Sequence, residues 1–330
     1  MRVVRPSVMR RRVLTMLSGV PDGRPAWMTA LEDGRDAGLF GPGSAVWAVN
    51  GATPTLIAGI RALLIQTLHP GAMAGVHDWS RFREDPMGRL SGTVRWVLTV
   101  TYGDTEQAQD ACNRVGRIHQ RVEGNYQDAQ GAEKPYSAND RDLLSWVHLA
   151  FTEAFLGAHL TWGGPIPGGP DAYVCEWARS GALMGVENPP TSVAELRSQL
   201  ASFASELKPD ERVQAAVQFL RRPPLGRAGG IGYRIFFAGA VASLPVGYRR
   251  LLGLRRPWWP ALTAAGAGLW LMGALLGRKS AGESAAGTRL RKLEMVAEPD
   301  AASPETRPSA EEKAARKSVR PSPRVLRAND

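Results

Sequence analysis

A short stretch of the chain, from His69 to Thr93, concentrates side chains that could carry out chemistry. It holds two histidines, three arginines and a threonine, and it directly follows an apolar segment, Leu56 to Leu68. A buried imidazole at a His-Pro corner needs a partner for each ring nitrogen, which makes it a costly group to place there. We therefore expect a functional site in this part of the chain, with His69 either shaping the corner through a backbone hydrogen bond or lining a pocket.

The helix that follows this corner should place two polar side chains together. Asp85 and Pro86 are typical of a helix start and predict a helix over about 86–101. Arg89 and Thr93 are four residues apart, so they lie on the same face of that helix. Arg89 could form a structural ion pair with Asp85, but a buried arginine is also what a cofactor carboxylate or a bound oxygen species would require.

The next predicted helix carries a histidine on its apolar side. Asp104 predicts its start, because Gln107 follows in capping-box spacing, and Gly124 predicts its end. His119 is the one clearly polar member of the apolar stripe on this helix. The other members of the stripe are Ala108, Cys112, Val115 and Val122.

A second histidine, His148, shares a face with apolar residues on a helix predicted over about 139–160. Such a histidine is more often a hydrogen-bonded core residue than a ligand, and we prefer that interpretation for His148. His77 and His159 are expected to be exposed or structural. Three consecutive helices thus direct polar groups toward a common interior.

Helical periodicity dominates the rest of the chain, and convincing alternating strands are scarce. The sequence therefore predicts an all-α fold, with a single large helical domain, an apolar interior and a disordered C-terminal tail. Further helices are predicted at about 54–68, 169–184, 191–206 and 209–221. The expected divisions are a basic N-terminal segment at 1–35, the helical domain at 36–277 and a charged, disordered tail at 278–330.

One apolar stretch, residues 258–277, contains 20 uncharged residues between basic pairs. That length could span a bilayer, but four glycines and a proline lower its hydrophobicity. We favour a buried or interfacial helix that pairs with the apolar run 235–246 and covers an apolar cavity. Membrane association, by spanning or by lying in the interface, stays open as the alternative.

The formal net charge of +10 sits mainly at the ends of the chain. Residues 1–35 carry 7 basic and 3 acidic side chains, residues 278–330 carry 12 and 8, and the region between them carries 22 and 20. A nucleic-acid-binding domain would carry a basic stripe on its folded part, so no specific nucleic-acid contact is predicted. Two cysteines without metal-type spacing and a poor leader pattern predict a cytoplasmic protein, with peripheral membrane contact left open.

Several familiar chemistries lack their markers. The chain has no P-loop, no G-x-G-x-x-G, no H-E-x-x-H and no G-x-S-x-G. Nucleotide, dinucleotide, zincin and serine-hydrolase chemistry are therefore disfavoured. What remains is a helical domain whose apolar interior and histidines suit a metal or a haem.

The ordered combination of these residues resembles a known oxygenase family. The chain is similar to the bacterial latex-clearing proteins (rubber oxygenases) and the fungal MpaB-type oxygenase, and most of all to the actinobacterial branch of that family. The resemblance covers about residues 40–260. It rests on His69-Pro70, Gly75-Val76, Asp78, Ser80, Phe82, Pro86, Arg89, Thr93, Tyr102-Gly103, His119, Val122, Gly124, Tyr136, Asp140 and Trp146-Val147-His148.

The resemblance implies a haem-sized apolar interior that binds one haem b, with a histidine as the iron ligand. His119 matches the position of that ligand, and Arg89 and Thr93 match the arginine and threonine near the haem. His69 and His148 are further candidates for binding the cofactor. Gly92 stands where rubber oxygenases commonly have a lysine, and no counterpart of their active-site glutamate is evident, which argues against polyisoprene as the substrate.

The resulting hypothesis is a haem-dependent oxygenase that uses dioxygen, and in its sharpest form a dioxygenase that cleaves an alkene bond. The expected substrate is apolar, of isoprenoid, terpenoid or lipid type. His119 would hold the iron, Arg89 would steady a haem propionate or the bound oxygen species, and Thr93 would donate a hydrogen bond. Two alternatives stay open, namely a non-catalytic haem-binding sensor or carrier and a membrane-associated helical protein without a cofactor.

Overall fold

Helices form almost all the regular structure of the protein, as a computed structural model shows. It describes residues 25–80, 83–277 and 280–297, together with Thr15 and Val20. Within these ranges the strands form a single antiparallel hairpin, so the all-α prediction is confirmed. The first helices are α1 (Ala26–Ala30), α2 (Ala45–Asn50), α3 (Thr55–Gln66), α4 (Pro70–Trp79), α5 (Pro86–Tyr102) and α6 (Thr105–His119). The hairpin of β1 (Glu123–Gln127) and β2 (Glu133–Ser137) precedes α7 (Arg141–Trp162), α8 (Gly169–Leu183), α9 (Val193–Ser202), α10 (Glu211–Arg221), α11 (Gly226–Ser243), α12 (Val246–Leu251), α13 (Ala261–Leu276) and α14 (Ala281–Ala297).

The core is built around the packing of α3 against α7, the most extensive contact between two helices. α3 is apolar almost all round, as expected for a helix enclosed on every side. Its one charged residue, Arg61, is only 1% exposed and bonds to the Glu153 carboxylate at 2.8 and 3.0 Å. Arg61 also donates to the carbonyl oxygens of Ala154 and Ser243. This buried cation therefore ties α3 to α7 and to the end of α11.

The structure differs from the sequence prediction directly after His69, where α4 begins in a segment for which no helix is predicted. Pro70 occupies the first turn of α4, where its missing N–H costs nothing. The His69 Nδ1 atom accepts hydrogen bonds from the backbone N–H groups of Gly71 at 3.2 Å and Ala72 at 3.5 Å. An imidazole thus caps this helix, a role that propensity rules assign to Ser, Thr, Asp and Asn.

A second difference lies after His119, where α6 ends earlier than predicted. The capping box of Asp104 and Gln107 at its start is present as expected. The chain then forms the hairpin, whose turn is held by Asp128 Oδ1 accepting from the backbone N–H groups of Gln130 and Ala132. This short-range side-chain bonding competes with helix and favours a turn.

The folded part also extends past the predicted domain boundary at residue 277, because α14 lies in the region assigned to the tail. Arg289 on α14 is buried and donates to the carbonyl oxygens of Leu31, Asp36 and Ala37 at 3.0 to 3.3 Å. Described parts of both flanking segments, around Leu31 and Arg289, therefore pack against each other in the fold. The predicted disorder of residues 298–330 and most of the basic segment 1–24 lie outside the described residues.

No described helix is by itself long and apolar enough to cross a membrane. Two bent helix pairs meet the criteria of length and composition together: α3 with α4, and α13 with α14 up to Glu294. α3 is mostly buried, as core helices of this composition are, whereas α4 has four buried residues out of ten. The predicted stretch 258–277 forms α13, which packs against α11.

Candidate functional site

A cavity of about 2610 Å³, mostly apolar in its lining, lies among helices α3, α5, α6, α7, α8, α11 and α13. It is larger than the roughly 300–1,000 Å³ of a typical small-molecule pocket, so it has room for a cofactor together with a substrate. Gly266 and Leu269 of α13 and Phe236 of α11 contribute to its wall. Helices from the stretches 258–277 and 235–246 thus line an apolar cavity, as expected.

Four aromatic side chains, three of them stacked and one edge-on, form one wall of the cavity. The rings of Phe151 and Phe155 lie parallel with their centroids 3.8 Å apart, and Phe151 stacks on Trp177 at 5.1 Å. Trp96 of α5 meets the edges of Phe151 and Trp177 at 6.3 and 6.1 Å. Aromatic packing of this kind gives a rigid, apolar surface against which a flat or unsaturated molecule can lie.

Arg89 on α5 enters this cavity without a counterion. The Asp85 carboxylate caps α5 by accepting from the N–H of Gly88, and the predicted Asp85–Arg89 ion pair does not form. The Arg89 guanidinium has no hydrogen bond or ion pair with any residue in the described ranges. Protein atoms enclose it enough to lower its pKa, although the side chain stays accessible from the cavity. Arg89 therefore presents a positive charge with free donors to whatever occupies the cavity.

Thr93 lies one turn beyond Arg89 and also lines the cavity. Its hydroxyl donates to the Arg89 carbonyl at 3.2 Å, which leaves the oxygen lone pairs free to accept. In this rotamer the Thr93 hydroxyl oxygen can accept a hydrogen bond from the cavity. The hydroxyl could donate to the cavity only if its hydrogen bond to the Arg89 carbonyl were broken.

His119, the last residue of α6, also lines the cavity. Its Nδ1 atom is buried and has no hydrogen-bond partner among the described residues. Burial lowers the pKa of His119, the positive charge of Arg89 lowers it further, and the Asn139 side chain opposes the shift. The lowered pKa of His119 favours the neutral imidazole, which is the form that can bind a metal.

His148 on α7 brings a second imidazole to the cavity wall. Its ring packs against the bare backbone of Gly181, where a Cβ would lie only 2.8 Å from the ring carbon Cε1. Burial lowers the pKa of His148 to about 4. Its Nε2 atom is buried and has no hydrogen-bond partner among the described residues. His148 is therefore buried in the core, as expected, but this nitrogen lacks the expected hydrogen bond.

The structure does not place His69 with these groups. Both of its ring nitrogens already have partners within the protein: Nδ1 caps α4, and Nε2 lies 3.3 Å from the Glu206 carboxylate. Burial lowers the pKa of His69, and Glu206 counteracts part of that shift. His69 does not line the cavity, so of its two predicted roles the structure shows the shaping of the corner.

The two remaining histidines have the local roles expected of them. His77 lies 2.9 Å from the neighbouring Asp78 carboxylate, and the His159 Nε2 atom bonds to the Gly164 carbonyl at 3.0 Å. Within the described residues no cluster of three or more His, Cys, Asp or Glu side chains could hold a metal ion.

Sequence reasoning missed several groups at the cavity. Arg95 and Arg114, on α5 and α6, line it without an ion pair to a described residue, and burial together with the charge of Arg114 lowers the pKa of Arg95. Leu31 and Ala285 also line it, from segments assigned to the chain ends. Helical spacing along one helix cannot show which residues of separate helices meet, so no signal marked these groups.

Comparison with known proteins identifies a family for most of the chain. Residues 47–278, more than two thirds of the chain, match the family described as ER-bound oxygenase mpaB/B'/rubber oxygenase, catalytic domain. Neither the curated proteins nor the solved structures give a match. The matched region contains Arg89, Thr93, His119 and His148, and an oxygenase of this kind acts with oxygen on an organic substrate. The chain therefore belongs to the MpaB and rubber oxygenase catalytic-domain family.

Proposed function

We propose that this protein is a haem b-dependent oxygenase whose substrate is an apolar molecule of isoprenoid, terpenoid or lipid type. Oxidative cleavage of an alkene bond to carbonyl products is the reaction that this assignment favours. The observation that carries the proposal is the pair formed by His119 and Arg89, an imidazole with a buried unpartnered nitrogen and a guanidinium without a counterion in one apolar cavity.

These residues fit a haem. A neutral imidazole is the form that binds iron, and burial together with Arg89 keeps His119 in that form at pH 7. The haem carboxylates would need cations, and Arg89, Arg95 and Arg114 line the cavity without ion pairs to described residues. His119 would thus hold the iron, and one or more of these arginines would bind the propionates.

When bound, the haem would supply the iron centre at which oxygen is activated. The residues of the chain would do the rest by binding and orienting. Phe151 and Trp177, which stack on each other, and Trp96, which meets both edge-on, would bind the unsaturated part of the substrate and exclude water. The Arg89 guanidinium, which keeps its proton in this setting, would hold a negatively charged oxygen atom in place by hydrogen bonds, and the Thr93 oxygen would accept from a neighbouring donor.

A second candidate function follows from His148. Its unpartnered Nε2 lies at the same cavity as His119, so both imidazoles could hold the haem, which would then supply electron transfer instead of oxygen activation. That arrangement is typical of electron carriers and sensors rather than oxygenases. The two functions therefore differ in whether His148 binds the iron.

The visible spectrum of the purified full-length protein, expressed with sufficient haem, tests the cofactor. A Soret band supports the proposal, and its absence from a folded protein contradicts both haem functions. Oxygen uptake with terpenoid, carotenoid and unsaturated lipid substrates then separates the two. Consumption with any of these substrates supports the oxygenase, whereas a haem-loaded protein that consumes no oxygen across the panel supports the carrier or sensor.

A further inference from the structure

A basic groove on the outer side of α11 is separate from the oxygenase cavity. Its volume is about 740 Å³, and five arginines line it together with Trp258 and Trp259. Each of the five is exposed, and none forms an ion pair with a described residue. They are Arg221, Arg222, Arg234, Arg255 and Arg256.

The chain segment that forms this groove carries only basic charged residues. Residues 212–282 contain ten arginines and one lysine but no aspartate or glutamate. The near balance of charge over 36–277 therefore conceals a region that is basic throughout, offset by acidic side chains elsewhere. Five unpaired guanidinium groups in one groove repel one another, and an anionic partner would relieve that repulsion.

The apolar side chains at the groove point to the kind of anionic partner. Trp258, part of its lining, is 95% exposed, and Ile231, which is outside the lining but one turn before Arg234 on α11, is 67% exposed. Tryptophan and an exposed aliphatic residue beside arginines are typical of segments that lie in the interface of a bilayer. A nucleic acid could bind the arginines and stack on a tryptophan, but it would gain nothing from the exposed Ile231.

The position of α11 connects the groove with the cavity. Arg234, Phe237 and Val241 of this helix line the groove, whereas Tyr233 and Phe236 line the cavity. One helix is thus the common wall of the groove and the cavity. A protein docked by this groove would hold its apolar cavity one helix away from the lipid.

We propose that this basic groove, made by Arg221, Arg222, Arg234, Arg255, Arg256 and Trp258, docks the protein on the surface of an anionic phospholipid bilayer. The arginines bind lipid phosphates, and the Trp258 indole enters the boundary between headgroups and acyl chains. The docking surface stands whatever reaction the cavity supports.

Co-sedimentation of the full-length protein with vesicles tests this surface. The protein should bind vesicles of phosphatidylcholine with phosphatidylglycerol, should not bind phosphatidylcholine alone, and should dissociate as the salt concentration rises. The double variant Arg255→Gln/Arg256→Gln should lower the partition coefficient roughly 30-fold, from the usual contribution of each arginine at an anionic surface. Trp258→Ala should lower the partition coefficient roughly tenfold, which corresponds to the low end of the free-energy range for removing a large apolar side chain from an apolar environment.

The matched control is Arg141→Gln/Arg197→Gln, which removes the same charge from two exposed arginines outside the groove. It should partition like the unaltered protein, and circular dichroism should show every variant folded. Equal loss in the control would overturn the proposal, because overall charge would then explain the binding. Failure to bind anionic vesicles would also overturn it, as would tight binding of a short DNA duplex that the arginine variant loses and Trp258→Ala retains.

Discussion

Replacing Arg61 with methionine should destabilise the fold severely, because the Glu153 carboxylate would remain buried without its partner. Arg61 bonds both carboxylate oxygens, at 2.8 and 3.0 Å, and also the Ala154 carbonyl at 3.2 Å. Removing one member of a buried ion pair costs about 3–5 kcal/mol. In a domain of this size that loss lowers the melting temperature by roughly 10 °C.

The pH dependence distinguishes this cause from simple loss of packing. Burial raises the pKa of Glu153, and Arg61 opposes the rise. Without Arg61 the pKa of Glu153 rises further, so the carboxyl group takes up a proton more readily as the pH falls. Since the native state then binds more protons than the unfolded state, stability decreases with rising pH, and the loss should be smaller at pH 5 than at pH 8.

Thermal and urea denaturation followed by circular dichroism measure both effects. The control is Arg141→Met, which breaks an exposed pair with Glu187 and should cost about 0–1 kcal/mol. The double variant Arg61→Met/Glu153→Leu should recover most of the lost stability, because no buried charge is left. The reasoning is refuted if Arg61→Met costs no more than the control, or if its cost is the same at both pH values.

Three further predictions concern the cavity. Gly181→Ala would place a Cβ against the His148 ring and should cost about 1–3 kcal/mol in thermal denaturation; an unchanged melting temperature would show that the ring moves freely. Because burial lowers the pKa of His148 to about 4, the unfolded chain binds the extra proton between pH 6.5 and 4, so stability should fall by about 3 kcal/mol over that range. His148→Gln should flatten this decline, and an equally steep decline in that variant would contradict the assignment. Arg89→Leu should raise the pKa of His119 in an NMR titration of the protein without haem, because a positive charge near the imidazole is removed. The control Arg117→Leu, on the exposed side of α6, should leave the pKa of His119 unchanged. A fall or no change in this pKa with Arg89→Leu would show that the two side chains do not interact.

The sequence predicts the parts of the site that depend on the geometry of a single helix. Arg89 and Thr93 share a face of α5 because they are four residues apart, and His119 ends the apolar stripe of a helix whose capping box is visible in the sequence. All three line the cavity. Local rules were sufficient here because the chain follows ordinary helical geometry.

The rest depends on contacts between distant segments, which local rules do not contain. His69 caps α4 and bonds to Glu206, a residue 137 positions later. Gly181 looks like any helix-weakening glycine in the sequence, and only the fold shows that it makes room for the His148 ring. α14 has the composition of a tail, yet its Arg289 is buried. The carbonyl oxygens of Leu31, Asp36 and Ala37 accept the hydrogen bonds of the buried guanidinium group.

A spectroscopic titration of the full-length protein with haem, comparing His119→Ala with His148→Ala, tests most directly whether His119 holds the cofactor. The account predicts that the unaltered protein and His148→Ala develop the Soret band of a histidine-bound haem and saturate at an equimolar ratio. His119→Ala should bind haem far more weakly and should not show that band, although circular dichroism finds it folded. A His119→Ala variant that retains the band, while His148→Ala loses it, would contradict the account.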